Sequence, residues 1–334
     1  MSAGFGVLDD GRLVWSHYYG EEAPGLAVTA ATRFNVASIT KTVTAEVTLR
    51  LIAAGHLDLD EPLSAYWIDP DIAADARRDQ LTARMVLNHT SGFPNWRFFR
   101  PNRRLVFEHV PGSAYGYSGE AFEYLARAIE IKLSEPFPSI VDRVVFEPTG
   151  IDSATLVVER NDVAGLVHSV DEQGAFPGFY CRPGGWCREQ GSYSAADDLI
   201  ISVSDYAQFM ISVMHHHGYD ASMADVRDRV STDRGRDNAI DCSTSAMCPQ
   251  IQGYGLGFEV VDFGAYRAVG HGGSDWSEQS LAYFYAPSGD GVIIFLNAPN
   301  ARTLVAMPDL LTLLDAGSPY LERYRNWRSE AARE

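Results

Sequence analysis

Two lysines occur in this chain of 334 residues, Lys41 and Lys132; histidines aside, its other cationic side chains are all arginines. Arginine stays protonated in proteins, whereas a buried lysine can release its proton and act as a base. Lys132 falls in a helical stretch with an exposed-looking polar face, where a solvated side chain is the natural reading. Lys41 stands one helical turn after a serine, in Ser38-Ile39-Thr40-Lys41. Residues three apart on a helix share a face, so the hydroxyl and the amine can come within hydrogen-bond reach. A serine hydroxyl is a poor nucleophile until a base takes its proton, and a neutral lysine at this spacing can do so. The start of a helix adds unpaired N–H groups and a positive dipole end, which favour a developing oxyanion and a neutral amine. A capping serine followed by a surface lysine gives the same tetrad by coincidence, with odds of roughly one in seven for a residue as common as serine.

The elements around the tetrad follow from periodicity. From about Ser38, Val43, Val47, Leu51 and Ala54 recur near one helical face, and Gly55 is placed to end the helix. Before it, Phe5, Val7 and Leu8, the Asp9-Asp10-Gly11 turn, and Leu13, Val14, Trp15 and Tyr18 read as a hairpin. The middle, about 61–250, is rich in helical patterns such as Glu120 to Leu133 and Ser204 to His217. From Tyr254 the period changes to strands: 256–261, 266–269, 280–285 and 292–296, the last two joined by the 287–291 turn. A helix from Arg302 to Leu314 follows, and 317–334 reads as a tail. Strands at both chain ends, arriving as hairpins, predict an α+β fold in one catalytic domain over 1–334. Its antiparallel sheet draws on about 1–60 and 251–316, helices flank it, and about 61–250 forms a mainly helical insertion subdomain.

Further blocks surround the tetrad in order. They are Phe34 to Lys41, Gly55 to Leu63, Leu87 to Pro94, Pro111-Gly112-Ser113 running into Tyr115-Gly116-Tyr117-Ser118, Ser202 to Tyr206, Tyr254 to Gly257, and Gly270 to Gly273. Together, over about residues 5–300, they resemble the serine β-lactamase and penicillin-binding-protein superfamily, and most of all its class C-like branch of esterases and D-amino-acid peptidases. The resemblance implies Ser38 as the acylated nucleophile, Lys41 as its base, and Tyr117 as the group sharing the proton between nucleophile and leaving group. It implies that His271, Gly272 and Gly273 form the strand beside the site, and that the backbone N–H of Ser274 joins that of Ser38 as an oxyanion hole. Two positions depart from the pattern. Gly119 stands where an asparagine usually contacts the substrate amide, with Glu120 beside it offering a different, charged group. His271 replaces a lysine that would give a substrate carboxylate a fixed cation; histidine charges only below about pH 6.5 unless perturbed.

The resemblance and its departures predict acyl transfer to water through an acyl-Ser38 intermediate, on carboxylic esters, with no metal or cofactor. A D-amino-acid or cell-wall peptide hydrolase, a weak β-lactamase and a non-catalytic ligand-binding relative are the rival readings. Phe93, Trp96, Phe98, Phe99 and Trp276 are available to line an apolar mouth. The formal charge of −17 disfavours nucleic acid and anionic lipid as partners. No apolar run reaches the roughly 18 residues of a membrane span. His215-His216-His217 ends a helix just before Gly218, where histidines complement the dipole and need bind no metal. Cys181/Cys187 and Cys242/Cys248 share one spacing, unlike a zinc knuckle, in polar Gly- and Ser-containing stretches. Two short disulfide loops are expected, with crossed pairing left open by the sequence. They point to a periplasmic or secreted protein; Met1 to Gly4 shows no signal-peptide pattern, which fits a cytoplasmic chain or one whose signal has been removed.

Overall fold

The computed structural model describes residues 1–161 and 163–333. An eight-stranded antiparallel sheet is built from β1 (Ser2–Asp9), β2 (Arg12–Tyr19), β3 (Thr232–Asp233), β4 (Ile251–Tyr254), β5 (Glu259–Asp262), β6 (Arg267–Ser274), β7 (Glu278–Ala286) and β8 (Gly291–Asn297). Their order is β2-β1-β8-β7-β6-β5-β4-β3, so the two ends of the chain meet at the β1/β8 ladder. That ladder runs from Ser2 opposite Asn297 to Leu8 opposite Gly291. Asp10 and Gly11 both hold positive φ, as a tight hairpin between β1 and β2 requires. The α+β class is as the sequence predicts.

The central strands are covered on both faces, and alternate side chains divide between two cores. Leu281, Tyr283, Ile294 and Leu296 pack against Met307 and Leu311 of α4 (Asn300–Leu314) and against Tyr320, Leu321 and Tyr324. Ala282, Phe284, Ile293 and Phe295 face the other way, toward Val43 and Val47 of α1 (Thr40–Ala53) and Val203 and Phe209 of α3 (Val203–Met214). The segment 317–334 is not a loose tail: it carries α5 (Leu321–Ala331), which packs on α4. The sequence hides this helix because only Leu321 and Tyr324 of it are buried.

α1 also differs from its expected one-faced pattern, being buried from Thr40 to Leu51. Its polar side chains find partners inside. Thr44 donates to the Ala195 carbonyl (2.6 Å), Arg50 to the Val144 carbonyl (3.0 Å) and Ser212 (2.7 Å), and Tyr219 donates to Glu46 (2.6 Å). The middle of the chain is less helical than expected. It contains α2 (Gly119–Leu133) and α3, but strand Ile200–Ser202 pairs with Arg33–Asn35, and 151–161 and 163–199 are otherwise mostly irregular. The histidine triplet does follow α3, and Gly218 turns the chain there with φ of 94°.

Candidate active site

Ser38 sits in a short turn, Ala37–Ile39, that opens into α1. Ala37 before it holds φ at 47°, a left-handed conformation that costs about 1–3 kcal/mol in a residue with a Cβ. Neighbours hold it there: Asn35 Oδ1 accepts the Ala37 N–H (2.9 Å), and the Thr40 hydroxyl donates to the Ala37 carbonyl (2.6 Å). Lys41, fully buried, donates from Nζ to Ser38 Oγ at 3.0 Å and to the Ala196 carbonyl at 2.8 Å. Both acceptors are uncharged. Nζ also lies 4.9 Å from the centroid of the Tyr117 ring.

Tyr117 precedes the cap of α2, where Ser118 Oγ accepts the Ala121 N–H at 3.0 Å. Its ring stacks on His89 with centroids 4.4 Å apart. His89 Nδ1 accepts the Ser118 N–H (3.2 Å), and burial, reinforced by Lys41, pushes the imidazole far below its ordinary pKa. A neutral ring therefore supports Tyr117. The sequence contains His89 within the block Leu87 to Pro94 but gives no role for it.

β6 passes directly beside Ser38. A Cβ on Gly273 would strike the Val36 carbonyl and Ser280 Oγ and sit 3.1 Å from the Ser38 amide nitrogen, so the close approach demands glycine. Ser280 locks the same contact by donating to the Val36 carbonyl (2.7 Å). Gly272 has room for a methyl group, with its nearest neighbour 3.5 Å away. Ser274 follows at the exposed end of the strand and lines the same cleft as Ser38. His271 is buried, with Nδ1 2.5 Å from the Gly272 carbonyl and Nε2 3.1 Å from the Tyr254 hydroxyl. The carbonyl can only accept, which places the proton on Nδ1 and makes Tyr254 the donor to Nε2. Burial, then the charge of Lys41, lowers its pKa to about 3. His271 is a neutral hydrogen-bonded spacer at any working pH.

Gly119 is occupied from outside. Its N–H donates to Asn95 Oδ1 (3.0 Å), and the Trp96 indole lies against its Cα, so that any Cβ would drive into the ring. Glu120 does not reach the cleft; Arg97 claims it at 2.7 Å within a cluster that includes Asp69.

The cleft in front of Ser38 measures about 820 Å³. Trp96, Phe98 and Phe99 line it as expected, whereas Phe93 is core and Trp276 faces elsewhere. Two further walls were not legible in the sequence. Arg234 and, from α5, Arg323 flank Glu259, whose carboxyl they hold at about 2 against the opposing effect of burial. Opposite them, the Cys181–Cys187 disulfide closes a small loop that brings Arg182, Trp186 and Arg188 to the rim. Arg182 binds both oxygens of Asp275 (2.8 and 2.7 Å), and Arg188 pairs with Asp198. Cys242 and Cys248 form the second disulfide, so the pairing is local in both cases. Lys132 lies away from the cleft, beside Tyr66 and Glu61.

A helix-covered antiparallel sheet formed by both chain ends, with a serine–lysine pair at the mouth of a buried helix, has the architecture of the serine β-lactamases and penicillin-binding proteins. Residues 2–314 match the Beta-lactamase family, and the chain belongs to it. Among solved structures, it is similar to the octameric penicillin-binding protein homologue from Pyrococcus abyssi (TM-score 0.72, 19% identity, 97% of this chain and 76% of that one). It is also similar to D-amino acid amidase from Ochrobactrum anthropi (TM-score 0.70, 17% identity, 97% and 93%). At these identities the likeness is one of fold. In sequence it is 26% identical over 221 residues to the D-alanyl-D-alanine-carboxypeptidase/endopeptidase AmpH of Escherichia coli, and 31% identical over 176 residues to Esterase EstB of Burkholderia gladioli. The matched stretches cover 57% of this chain and 57% of AmpH, and 43% and 44% for EstB, so the likeness spans about half the length of these relatives.

Proposed function

We propose that this protein hydrolyses carboxylic esters through an acyl-Ser38 intermediate. In this reading Lys41 takes the serine proton through the 3.0 Å contact, and Tyr117, within reach of the lysine charge, passes a proton to the leaving alkoxide. The amides of Ser38 and Ser274 stabilise the oxyanion, in a geometry fixed by the glycine-only contact at Gly273. Water then releases the acyl group by the same route in reverse.

One observation carries the choice of ester over amide. The Trp96 indole fills the space at Gly119 from which a side chain would hold a substrate amide. A site that lacks such a partner loses the discrimination that hydrogen bonds to an amide provide. An alkoxide leaves far more readily than an amide anion, whose nitrogen must be protonated before it can depart, so an ester suffers least. His271 adds no cation, and the guanidiniums of Arg234 and Arg323 are engaged by Glu259. The similarity to Esterase EstB supports the same choice. Steady-state kinetics test it: kcat/KM for p-nitrophenyl acetate is expected at least ~100-fold above that for nitrocefin, about 2.7 kcal/mol in transition-state binding. Nitrocefin turnover equal to or above that of the ester would overturn the reading.

A further inference from the structure

A second cavity, of about 700 Å³, adjoins the cleft in front of Ser38, and Arg234, Asp237, Arg323 and Trp327 line both. The junction lies on the Tyr117 side of the cleft. The Arg234 guanidinium is 5.2 Å from the centroid of the Tyr254 ring, and the Tyr117 ring centroid is 6.3 Å from the same point. With Tyr117 passing its proton to the departing alkoxide, the alcohol portion of an ester extends toward the outer cavity, and a long enough alcohol enters it.

The walls of the outer cavity are braced by the protein itself. The Cys242–Cys248 disulfide closes the loop on one side, and Thr244 of that loop donates to Glu322 of α5 (2.9 Å). Arg323 Nη2 donates to the Asp237 carbonyl (2.9 Å), and the Gln252 side chain pairs with the N–H and the carbonyl of Ile240 (3.1 and 2.6 Å). A wall fixed in advance lowers the ordering cost of binding. Its charges balance: Arg234, Arg236 and Arg323 are matched by Asp237, Asp241 and Glu330, which favours neither a cationic nor an anionic ligand. Trp327 stands at the junction, 37% exposed, its ring set edge-on to Tyr324 with centroids 5.1 Å apart. Asn326 adds an exposed amide from the same helix. A purely apolar alcohol would strip water from these polar groups and return no hydrogen bond. A saccharide suits them. Its rings offer C–H faces to the indole, and its hydroxyls accept from guanidinium and amide groups and donate to carboxylates.

We infer that the outer cavity binds a saccharide on the alcohol side of the ester, making acyl esters of oligosaccharides the favoured substrates. Ser38 Oγ bonds to the acyl carbon, the bond from that carbon to the sugar oxygen breaks, and the oxygen leaves as a hydroxyl with the proton given up by Ser38. Water then frees the acyl group as a carboxylic acid. The inference rests on the ester-hydrolase reading and on the role given to Tyr117. The test compares substrates that share one reacting ester and differ only in length. Glucose acetylated on its primary hydroxyl is set against cellotriose acetylated on the same hydroxyl of either end unit, and the monomer and trimer of N-acetylglucosamine are treated likewise. The wild-type protein is expected to favour the longer member of at least one pair by ~10-fold or more in kcat/KM, about 1.4 kcal/mol. Trp327→Ala, and separately Asn326→Ala with Glu330→Ala, should bring that ratio to within about twofold of one. Wild-type ratios near one overturn the inference without reference to any variant. So does a preference that survives in both variants, or turnover of p-nitrophenyl acetate with none of the sugar esters. Absence of turnover on the sugar esters and on p-nitrophenyl acetate alike would instead sink the hydrolase reading, and this inference with it.

Discussion

Around Ser38, Thr40, Lys41, His89, His271 and Ser280 are each 2% exposed or less, and uncharged acceptors make up most of their hydrogen bonds. Across the cleft, the disulfide loop is held by ion pairs at the surface, with the Arg182 side chain 34% exposed and Trp186 54% exposed. Buried hydrogen bonds of the first kind fix one geometry, since a partner left unmatched costs about 1–3 kcal/mol. Exposed ion pairs of the second kind contribute about 0–1 kcal/mol each and allow adjustment. The protein thus places its candidate chemistry on a rigid half and its candidate recognition on a deformable one. Changes in the first half should appear in kcat, and changes in the second in KM.

The largest effect is expected at Lys41. Lys41→Arg keeps the charge but cannot accept a proton, and should cut kcat on p-nitrophenyl acetate by at least ~10-fold, about 1.4 kcal/mol. A thermal melt separates this loss from misfolding, because the site is fully buried. A folded variant with more than a tenth of the wild-type rate would exclude Lys41 as the base.

Gly119→Asn tests the boundary between the halves. An added side chain must displace the Trp96 ring, an overpacking cost of about 1–3 kcal/mol. The single variant should therefore lose stability and ester activity without gaining on nitrocefin. Trp96→Ala with Gly119→Asn should recover stability and narrow the gap between ester and lactam; a single variant that gains lactam turnover would show that Trp96 is not the obstacle.

Beyond the loop lies Glu278, whose carboxyl is raised from 4.5 to about 8 by burial and then by Asp275. Between those values the folded protein binds more protons than the unfolded chain, so stability falls as pH rises from 4.5 toward 8. Denaturant titrations over that range should show a loss on the order of 1–3 kcal/mol that Glu278→Gln flattens. A slope unchanged by that substitution would assign the dependence to other groups. The smallest effect is expected from Cys181→Ser with Cys187→Ser. Opening so short a loop removes about 2 kcal/mol of chain-entropy stabilisation at most. KM should rise about 2–5-fold with kcat nearly constant, the signature of lost ground-state binding. A fall in kcat of tenfold or more would mean that the wall is part of the rigid half.

The same division explains what the sequence revealed. Ser38 and Lys41 were legible because one helical turn brings them together whatever the rest of the chain does. Gly273 was legible only through the family resemblance; the structure supplies the reason, since a Cβ there would strike the Val36 carbonyl and crowd the Ser38 amide. Trp96 over Gly119, and Arg234 and Arg323 around Glu259, are contacts between distant segments that no local period announces. α1 misled because Thr, Glu and Arg read as a solvent face, while here Arg227, Tyr219 and the Ala195 carbonyl receive them inside the protein. α5 escaped notice because its charged surface outweighs the two side chains it buries.

The central claim is that Ser38 carries the acyl group. Peptide mass mapping after exposure to a fluorophosphonate tests it most directly, on the wild-type protein and on Ser38→Ala. A single adduct on the peptide containing Ser38, absent from the folded variant together with its p-nitrophenyl acetate turnover, is the predicted result. An adduct on another serine, or labelling and turnover that persist in Ser38→Ala, would contradict the account.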